Sequence, residues 1–156
     1  MSQSEISGSA EATDGDCIDA WPWVESRQGE KGAKYGGGGV VRLAPSQVSW
    51  AYALPGCRQV LLHTVSNGKY VTRGKIDSLD QRWAEHGFAR IHKWHLVCWS
   101  HVQDLDHPPS AWEISLSSGA GTRYLPVGVG YRRKIARKWA EHLDRVRDHR
   151  RRLFSQ

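Results

Sequence analysis

The sequence predicts an α+β protein that is mostly antiparallel β-sheet, with one short helix in the middle and a long basic helix at the C-terminus. Three observations support this fold class. Short β-rich runs separated by turn residues recur between residues 40 and 127. One helical period interrupts them near residue 80, and a second helical stripe begins at Tyr131. This order of elements is typical of antiparallel sheets with helices at their margins.

The composition divides the chain into three parts. Residues 1–39 are rich in Ser, Gly and acidic residues and end in four glycines, which predicts a disordered acidic tail with a hinge. Residues 40–130 form the predicted strand-rich domain, and residues 131–156 form the basic helix. Trp21 and Trp23 interrupt the tail with an aromatic motif. The motif is consistent with capture of a protein partner and also with docking on the chain's own domain.

The first hairpin is predicted from turn chemistry and alternation. Two β-rich runs flank the pair Asn67–Gly68, which favours a type I′ turn because both of its residues tolerate a positive φ. Side chains alternate between the two faces of a strand, so Val60, Leu62 and Thr64 should share one face. The hairpin therefore anchors the predicted sheet.

A short helix follows the hairpin. Ile76, Leu79 and Trp83 lie at helical spacing, and acidic residues favour the first turn, where they meet the positive end of the helix dipole. Gly87 is a natural C-terminal stop. The spacing predicts an amphipathic helix over about residues 77–86.

The next stretch, GFARIHKWHLVCW, places two histidines and two basic residues beside a hydrophobic run. We expect residues 88–95 to be a loop or the start of a strand, and residues 96–105 to be the strand itself. A second hairpin is predicted between residues 111 and 128, after a proline-containing connection. The C-terminal helix carries an apolar stripe of Tyr131, Ile135, Trp139, Leu143 and Val146.

Charge is distributed unevenly along the chain. The formal net charge is +6, yet residues 1–39 hold seven acids and three bases, a net charge of −4. Residues 40–156 therefore hold 19 bases and nine acids, a net charge of +10. An acidic tail on a basic body is typical of proteins that bind nucleic acid or other polyanions. The tail is thus a candidate intramolecular screen of the basic face.

Other classes of function have little support in the sequence. The three cysteines, Cys17, Cys57 and Cys98, are far apart and form no disulfide or zinc pattern. His92 and His95 would point to opposite faces of a strand, which argues against a shared metal. We find no catalytic motif, signal peptide or membrane span. We therefore expect no enzyme activity, no cofactor, no metal and no membrane association.

The basic residues of the body are concentrated where loops and element ends are predicted. Phosphate groups are bound by Arg and Lys side chains at such positions, and bases are distinguished by side chains that reach into a groove. His92 lies among these residues, although a packing or hydrogen-bonding role suits it better than base contact. The candidate DNA-binding residues are Arg58, Arg90, His92, Lys93, Arg123, Arg132 and Arg133.

The segments GKIDSLDQRWAEHGFARIHKWHLVCWSHVQDL and WEISLSSGAGTRYLPVGVGYRRKI resemble the LytTR DNA-binding domain. The resemblance covers about residues 40–140. Family members show a short helix, a Phe-x-Arg-Ile-His motif, a strand, a hairpin and a Leu-Pro-Val motif. The matching residues here are Phe88, Arg90, Ile91, His92, Leu125, Pro126 and Val127.

The resemblance implies bacterial transcription regulation, with elongated β-sheets that bind direct repeats in DNA through loops inserted into the major groove. It implies base contacts near Arg58 and at Lys93. The family's third base-contacting arginine is missing, because Gly128, Val129 and Gly130 occupy that region. Arg132 and Arg133 fall where the family places phosphate-binding bases.

The resemblance also implies a cytoplasmic, nucleoid-associated protein that relates to two-component regulators. The 39 residues of the tail are too few for the receiver domain that many relatives carry. Dimerisation on DNA through the C-terminal helix is one option. The alternative function is a protein-interaction module on a degenerate LytTR scaffold, which the missing arginine and the tryptophan motif would explain.

Overall fold

The computed structural model describes residues 16–24, 34–35, 39–106, 111–118 and 121–154. Within these ranges the chain forms eleven strands and two helices. They are β1 (Ile18–Val24), β2 (Lys34–Tyr35), β3 (Val41–Leu43), β4 (Val48–Ala53), β5 (Gln59–Thr64), β6 (Lys69–Arg73), α1 (Ile76–Trp83), β7 (Phe88–His92), β8 (His95–Cys98), β9 (Val102–Asp106), β10 (Glu113–Ser118), β11 (Gly121–Pro126) and α2 (Arg132–Phe154).

The strands make two antiparallel sheets. The main sheet has the order β2-β1-β6-β5-β4-β8-β7, and β3 pairs with β1 beside this path. The second sheet has the order β11-β10-β9. This arrangement confirms the predicted fold class, mostly antiparallel β-sheet with a short internal helix and a long C-terminal helix.

Both faces of the main sheet are covered by other elements. Side chains along its strands therefore alternate between two hydrophobic cores. On one face α1 packs Ile76, Leu79 and Trp83 against the sheet, as the helical spacing predicts. On the other face the second sheet and Ile135 of α2 form the second core. In β8, for example, Leu96 belongs to the first core and its neighbour Val97 to the second.

The N-terminal boundary differs from the sequence-based expectation. Residues 1–39 are predicted to be a disordered tail, but Ile18–Val24 form strand β1 of the main sheet. Ile18 and Ala20 are buried, and the Thr72 hydroxyl donates to the carbonyl of Asp19 at 2.7 Å. Apolar alternation and backbone pairing thus give this short segment enough contacts to stay in the sheet. Residues 1–15, 25–33 and 36–38 lie outside the described residues.

The two tryptophans of the predicted tail lie in β1. Trp21 pairs with Val71 of β6, and Trp23 pairs with Tyr35 of β2. Both tryptophans are half-buried, and the Arg73 guanidinium lies 5.7 Å from the Trp21 ring centre. Of the two roles that the sequence allows for this motif, docking on the chain's own domain is the one the structure contains.

The hairpin predicted at Asn67–Gly68 is confirmed, but its turn is not type I′. Four residues connect β5 to β6, and within that connection Asn67 has a positive φ of 70° whereas Gly68 does not. The Thr64 hydroxyl accepts the backbone N–H of Gly68 at 2.8 Å, which closes the longer loop. The predicted alternation holds, with Val60, Leu62 and Thr64 buried.

The stretch from Phe88 to Asp106 differs most from the prediction. Residues 88–92 are the strand β7, and the single strand predicted over residues 96–105 is two strands in different sheets. A short turn at Trp99–His101 separates them, and the Trp99 N–H donates to the carbonyl of Gly87 at 2.8 Å. Lys93 therefore lies at the tip of the β7–β8 hairpin, whereas Arg90 lies within β7.

The apolar stripe of α2 is buried only in its first half. Tyr131, Ile135 and Trp139 pack on the second core, whereas Leu143 and Val146 are about 40% exposed. In the part of the chain that the structure describes, no helix has the length and apolar character needed to cross a membrane.

Candidate nucleic-acid interface

The hairpin formed by β7 and β8 carries the first part of the candidate interface. His92 pairs with His95, so Lys93 and Trp94 form the tip between them. Lys93 is exposed, and Trp94 is 39% exposed. The N–H of Ala53 donates to the carbonyl of Trp94 at 2.9 Å, which ties the tip to the end of β4. The tip is thus a short, anchored projection with a cation at its end.

Arg90 has a different role from the DNA contact that the sequence suggests. Its side chain is only 10% exposed, and its Nη1 lies 2.6 Å from Asp77 Oδ1 and 3.7 Å from Asp80 Oδ2. Its Nε donates to the carbonyl of His92 at 2.9 Å, and its Nη2 donates to the carbonyl of Lys93. Arg90 lines the same groove as Arg58 and Lys93, but the hydrogen-bonding groups of its guanidinium are already occupied by the protein. It is a positioning residue that fixes the backbone of the hairpin tip.

The sequence contains a signal for these partners of Arg90. Asp77 and Asp80 are three residues apart, a spacing that puts both carboxylates on one face of a helix. The helix dipole alone accounts for acidic residues in the first turn of α1. The sequence-based prediction therefore does not include the binding of Arg90 by Asp77 and Asp80.

Arg58 lies across a groove from the hairpin tip. It ends the loop of residues 54–58 between β4 and β5, and its side chain is exposed. The N–H of Gly74 donates to the carbonyl of Arg58 at 2.9 Å, so the loop is fixed to the end of β6. The groove, with a volume of about 350 Å³, is lined by Arg58, Lys75 and Lys93 among others. The fold therefore brings the two predicted base-contacting residues together.

A third loop lies on the other side of the tip. The N–H of Gly128 donates to the carbonyl of Ile91 at 2.8 Å. A Cβ atom on Gly128 would lie 3.3 Å from the His92 ring, so the loop packs directly on β7. Val129, the next residue, is 76% exposed. The three loops, residues 54–58, 93–94 and 128–130, are called the loop edge below.

The side chains around the tip contact one another. Lys93 Nζ lies 4.7 Å from the centre of the Trp94 ring, and the His92 and Trp94 rings are 5.7 Å apart. His92 Nδ1 accepts the N–H of Trp94 at 3.2 Å. Burial, helped by the charges of Lys93 and Arg90, lowers the pKa of His92. His92 is thus a neutral acceptor that shapes the tip, and the basic charge of the tip comes from Lys93.

Arg123 belongs to a different part of the molecule. Its guanidinium lies 5.4 Å from the Trp50 ring centre, and the His63 ring stacks on Trp50 at 3.9 Å with an interplanar angle of 7°. His63 is five residues along the strand from Arg58, roughly 17 Å at the rise of an antiparallel strand. Arg123 is therefore remote from Arg58, although its cluster meets the hairpin tip through His95, whose ring centre lies 5.2 Å from that of His92. Trp50, His63, His95 and Arg123 are called the Trp50 cluster below.

Burial sets the chemistry of the Trp50 cluster. It lowers the pKa of His63 to about 4, with the charges of Arg123 and Lys69 acting in the same direction. Burial also lowers the pKa of His95 to about 4, with a smaller contribution from His92. Among the described residues, His95 Nδ1 and Trp50 Nε1 are buried without a hydrogen-bond partner. Both histidines are therefore neutral near pH 7.

The two arginines at the start of α2 have different surroundings. Arg132 is half-buried, with its guanidinium 5.7 Å from the Trp112 ring centre, and its buried Nε has no hydrogen-bond partner within the described ranges. Arg133 is exposed. Both come shortly after the third loop, with Tyr131 between, so Arg133 adds positive charge near the loop edge.

Contrary to the sequence-based expectation, His92 and His95 are not on opposite faces of one strand. They lie opposite each other across the hairpin, and their ring centres are 5.2 Å apart. Within the described parts of the chain, no group of three or more His, Cys, Asp and Glu side chains is placed to hold a metal ion.

An exposed basic edge on two antiparallel sheets defines a nucleic-acid-binding β-domain, and comparison with known proteins agrees. The family model described as the LytTr DNA-binding domain matches residues 38–140. The chain belongs to this family, which confirms the resemblance and supports a DNA-binding regulator in general. The match ends inside α2, ten residues into the predicted basic-helix region.

A solved structure has the same fold. It is the LytTR DNA-binding domain of a protein from Bacillus cereus described as a methyl-accepting/DNA response regulator. The two chains are 14% identical with a TM-score of 0.53, and the likeness covers 74% of this chain and 94% of that one. A search of curated proteins gave no match.

Proposed function

We propose that this chain is a sequence-specific regulator of transcription that reads the major groove of double-stranded DNA with its loop edge. The observation that supports this most is the hairpin tip, an exposed Lys93 on a backbone held by the buried Arg90. The major groove is about 12 Å wide and admits a two-stranded β-ribbon. Because β8 also pairs with β4, the part of the β7–β8 hairpin that would enter the groove is its tip, Lys93 and Trp94.

The roles of the loop residues follow from their chemistry. Arg58 and Lys93 carry cations on the two sides of one groove, and both side chains are exposed. Arg and Lys are the side chains that most often bind the O6 and N7 atoms of guanine. Arg133 is placed beside the edge, where it would contact phosphate and contribute affinity without base preference.

Binding of direct repeats and dimerisation on DNA belong to the same proposal. The exposed distal half of α2 supports an additional contact, because Leu143 and Val146 remain uncovered by the domain. The proposed location is cytoplasmic and nucleoid-associated, which follows from the DNA partner.

The test is a binding titration on duplexes selected from a random library, repeated over a series of salt concentrations. A DNA binder loses affinity steeply as salt rises, because counterions are released from the phosphates. The combined variant Arg58→Glu and Lys93→Glu should bind at least about 100-fold more weakly, since each good base contact contributes ~1–3 kcal/mol. Its thermal midpoint should not change, because both side chains are exposed.

Lys69→Glu is the matched control, an exposed base at the opposite end of β5 and β6 from Arg58. It should change affinity only slightly. Full affinity in the combined variant would exclude the loop edge as the interface. Absence of salt-dependent binding by the wild-type protein would favour the protein-interaction alternative, and a chemical change in the DNA would indicate an enzyme.

A further inference from the structure

Val129 is an unusually exposed apolar side chain. It is 76% exposed, and among the exposed large apolar side chains of the described residues only Phe154, near the end of α2, is more exposed. It opens the short helical turn Val129–Tyr131 that precedes α2. An apolar group this exposed gains little from the protein's own core and is available to a ligand.

The loop that carries Val129 is fixed on both sides. Before it, Gly128 donates to the carbonyl of Ile91 at 2.8 Å. After it, the N–H of Tyr131 donates to the carbonyl of Gly128 at 2.9 Å, and Tyr131 packs against the second core. The direction of Val129 is therefore set by the backbone, and little conformational entropy is lost when it meets a ligand.

Its neighbours define what it could contact. A Cβ atom on Gly128 would lie 3.5 Å from His92 Cα, and Lys93 follows His92 directly. Val129 thus lies beside the basic hairpin tip. The surface facing a base-reading cation is the floor of the major groove, and its one apolar group is the C5-methyl of thymine. Phosphate offers no apolar partner, and the C–H groups of the sugar carry no sequence information.

We propose that Val129 is a specificity-determining residue that packs on the methyl group of a thymine in the target site. The inference rests on the proposed function and extends it, because it assigns a base preference to a loop that has no charged side chain between Val127 and Tyr131. Lys93 and Arg58 would select guanines, and Val129 would select a thymine at the adjoining position.

The experiment replaces each thymine of the selected duplex in turn by deoxyuridine, which removes the methyl and keeps the base pair. One replacement should weaken wild-type binding by about 4-fold, the effect of one buried methyl-sized group. Val129→Ala should weaken binding of the thymine duplex to a similar extent. In that variant the same deoxyuridine replacement should have no further effect.

Tyr124→Ala is the control, since Tyr124 is 58% exposed on β11. This variant should keep the full deoxyuridine penalty. If Val129→Ala also keeps that penalty, or if no deoxyuridine position weakens the wild-type protein, Val129 does not read a methyl and the proposed function still stands. If the wild-type protein selects no sequence at all, both proposals are wrong. A change of oligomeric state in Val129→Ala without a change in base preference would assign Val129 to a protein contact.

Discussion

The loop edge and the Trp50 cluster use the same kinds of side chain for different purposes. Each combines tryptophan, histidine and a basic residue. At the loop edge Lys93 is exposed on an anchored hairpin tip, whereas in the Trp50 cluster the rings are stacked and both histidines are neutral because of burial. Composition alone does not distinguish a DNA-contacting group from a packing group. The position of each side chain in the sheet does.

The same contrast occurs within one hairpin. Arg90 and Lys93 are three residues apart, yet Arg90 is 8% exposed and Lys93 is exposed. Strand alternation directs Arg90 toward α1, where Asp77 and Asp80 lie, and the turn directs Lys93 outward. A basic side chain on a strand supports the structure in this hairpin, and a basic side chain at the turn is available to a ligand.

Arg90→Met should have the largest effect on stability and tests the contrast between Arg90 and Lys93. Methionine keeps most of the apolar stem but leaves the carbonyls of His92 and Lys93 without their donor. We expect the free energy of unfolding to fall by about 2 kcal/mol, mainly from the lost hydrogen bonds of a charged donor. The ion pair itself contributes little, because the Asp77 side chain is 73% exposed. Affinity for DNA should also fall, because the tip loses its anchor. Denaturant titration and duplex binding measure the two effects.

Lys93→Met is the matched control for Arg90→Met. It should reduce DNA affinity by about 10-fold or more and leave the unfolding free energy nearly unchanged, because an exposed side chain contributes little to stability. Equal stability of the two variants would contradict the positioning role of Arg90.

Sequence reasoning recovers those parts of the fold that depend on local signals. The helix α1 follows from the spacing of Ile76, Leu79 and Trp83, and the first hairpin follows from Asn67–Gly68. It places Arg58 and Lys93 at loops because turn residues and charge coincide there. Each of these features depends on a few residues that are close together in the sequence.

The parts that it misses depend on pairing over long distances in the sequence. Strand β1 is stabilised by β3 and β6, more than 20 residues away, so its own polar flanks suggest a tail. Residues 96–105 read as one continuous β-rich run, but they contribute β8 to the main sheet and β9 to the second sheet. Only the packing of the second sheet separates the two strands. Arg90 is assigned to DNA because its carboxylate partners lie on another element.

A second effect concerns acid stability. His63 and His95 have pKa values of about 4 in the folded protein, below the usual value near 6.5. The unfolded chain therefore binds more protons between these values, so stability is fully present above about pH 6.5 and is lost as the pH falls toward 4. The full shift corresponds to about 3 kcal/mol per histidine. Solvent screening at the partly exposed His63 lowers the expected value there to about 1 kcal/mol.

Denaturant midpoints measured from about pH 7.5 to pH 4.5 check this prediction. His63→Gln and His95→Gln should each flatten the pH dependence, whatever their stability at neutral pH. His149→Gln is the control, because His149 lies on the exposed part of α2 and its replacement should leave the slope unchanged. A slope that survives in both cluster variants would show that other groups cause the acid sensitivity.

The smallest expected effect is that of Arg123→Gln on DNA binding. Arg123 is exposed like Arg58 but lies over Trp50 and not on one of the three loops of the loop edge. We expect its replacement to change affinity by less than about 2-fold, whereas Arg58→Gln should lower affinity by about 10-fold. Removing the Arg123 charge should also raise the pKa of His63 slightly, which an NMR titration of the imidazole would detect. If the two arginine variants lost affinity equally, the Trp50 cluster would be part of the DNA interface. Side-chain burial would then not distinguish DNA-binding residues from packing residues in this protein.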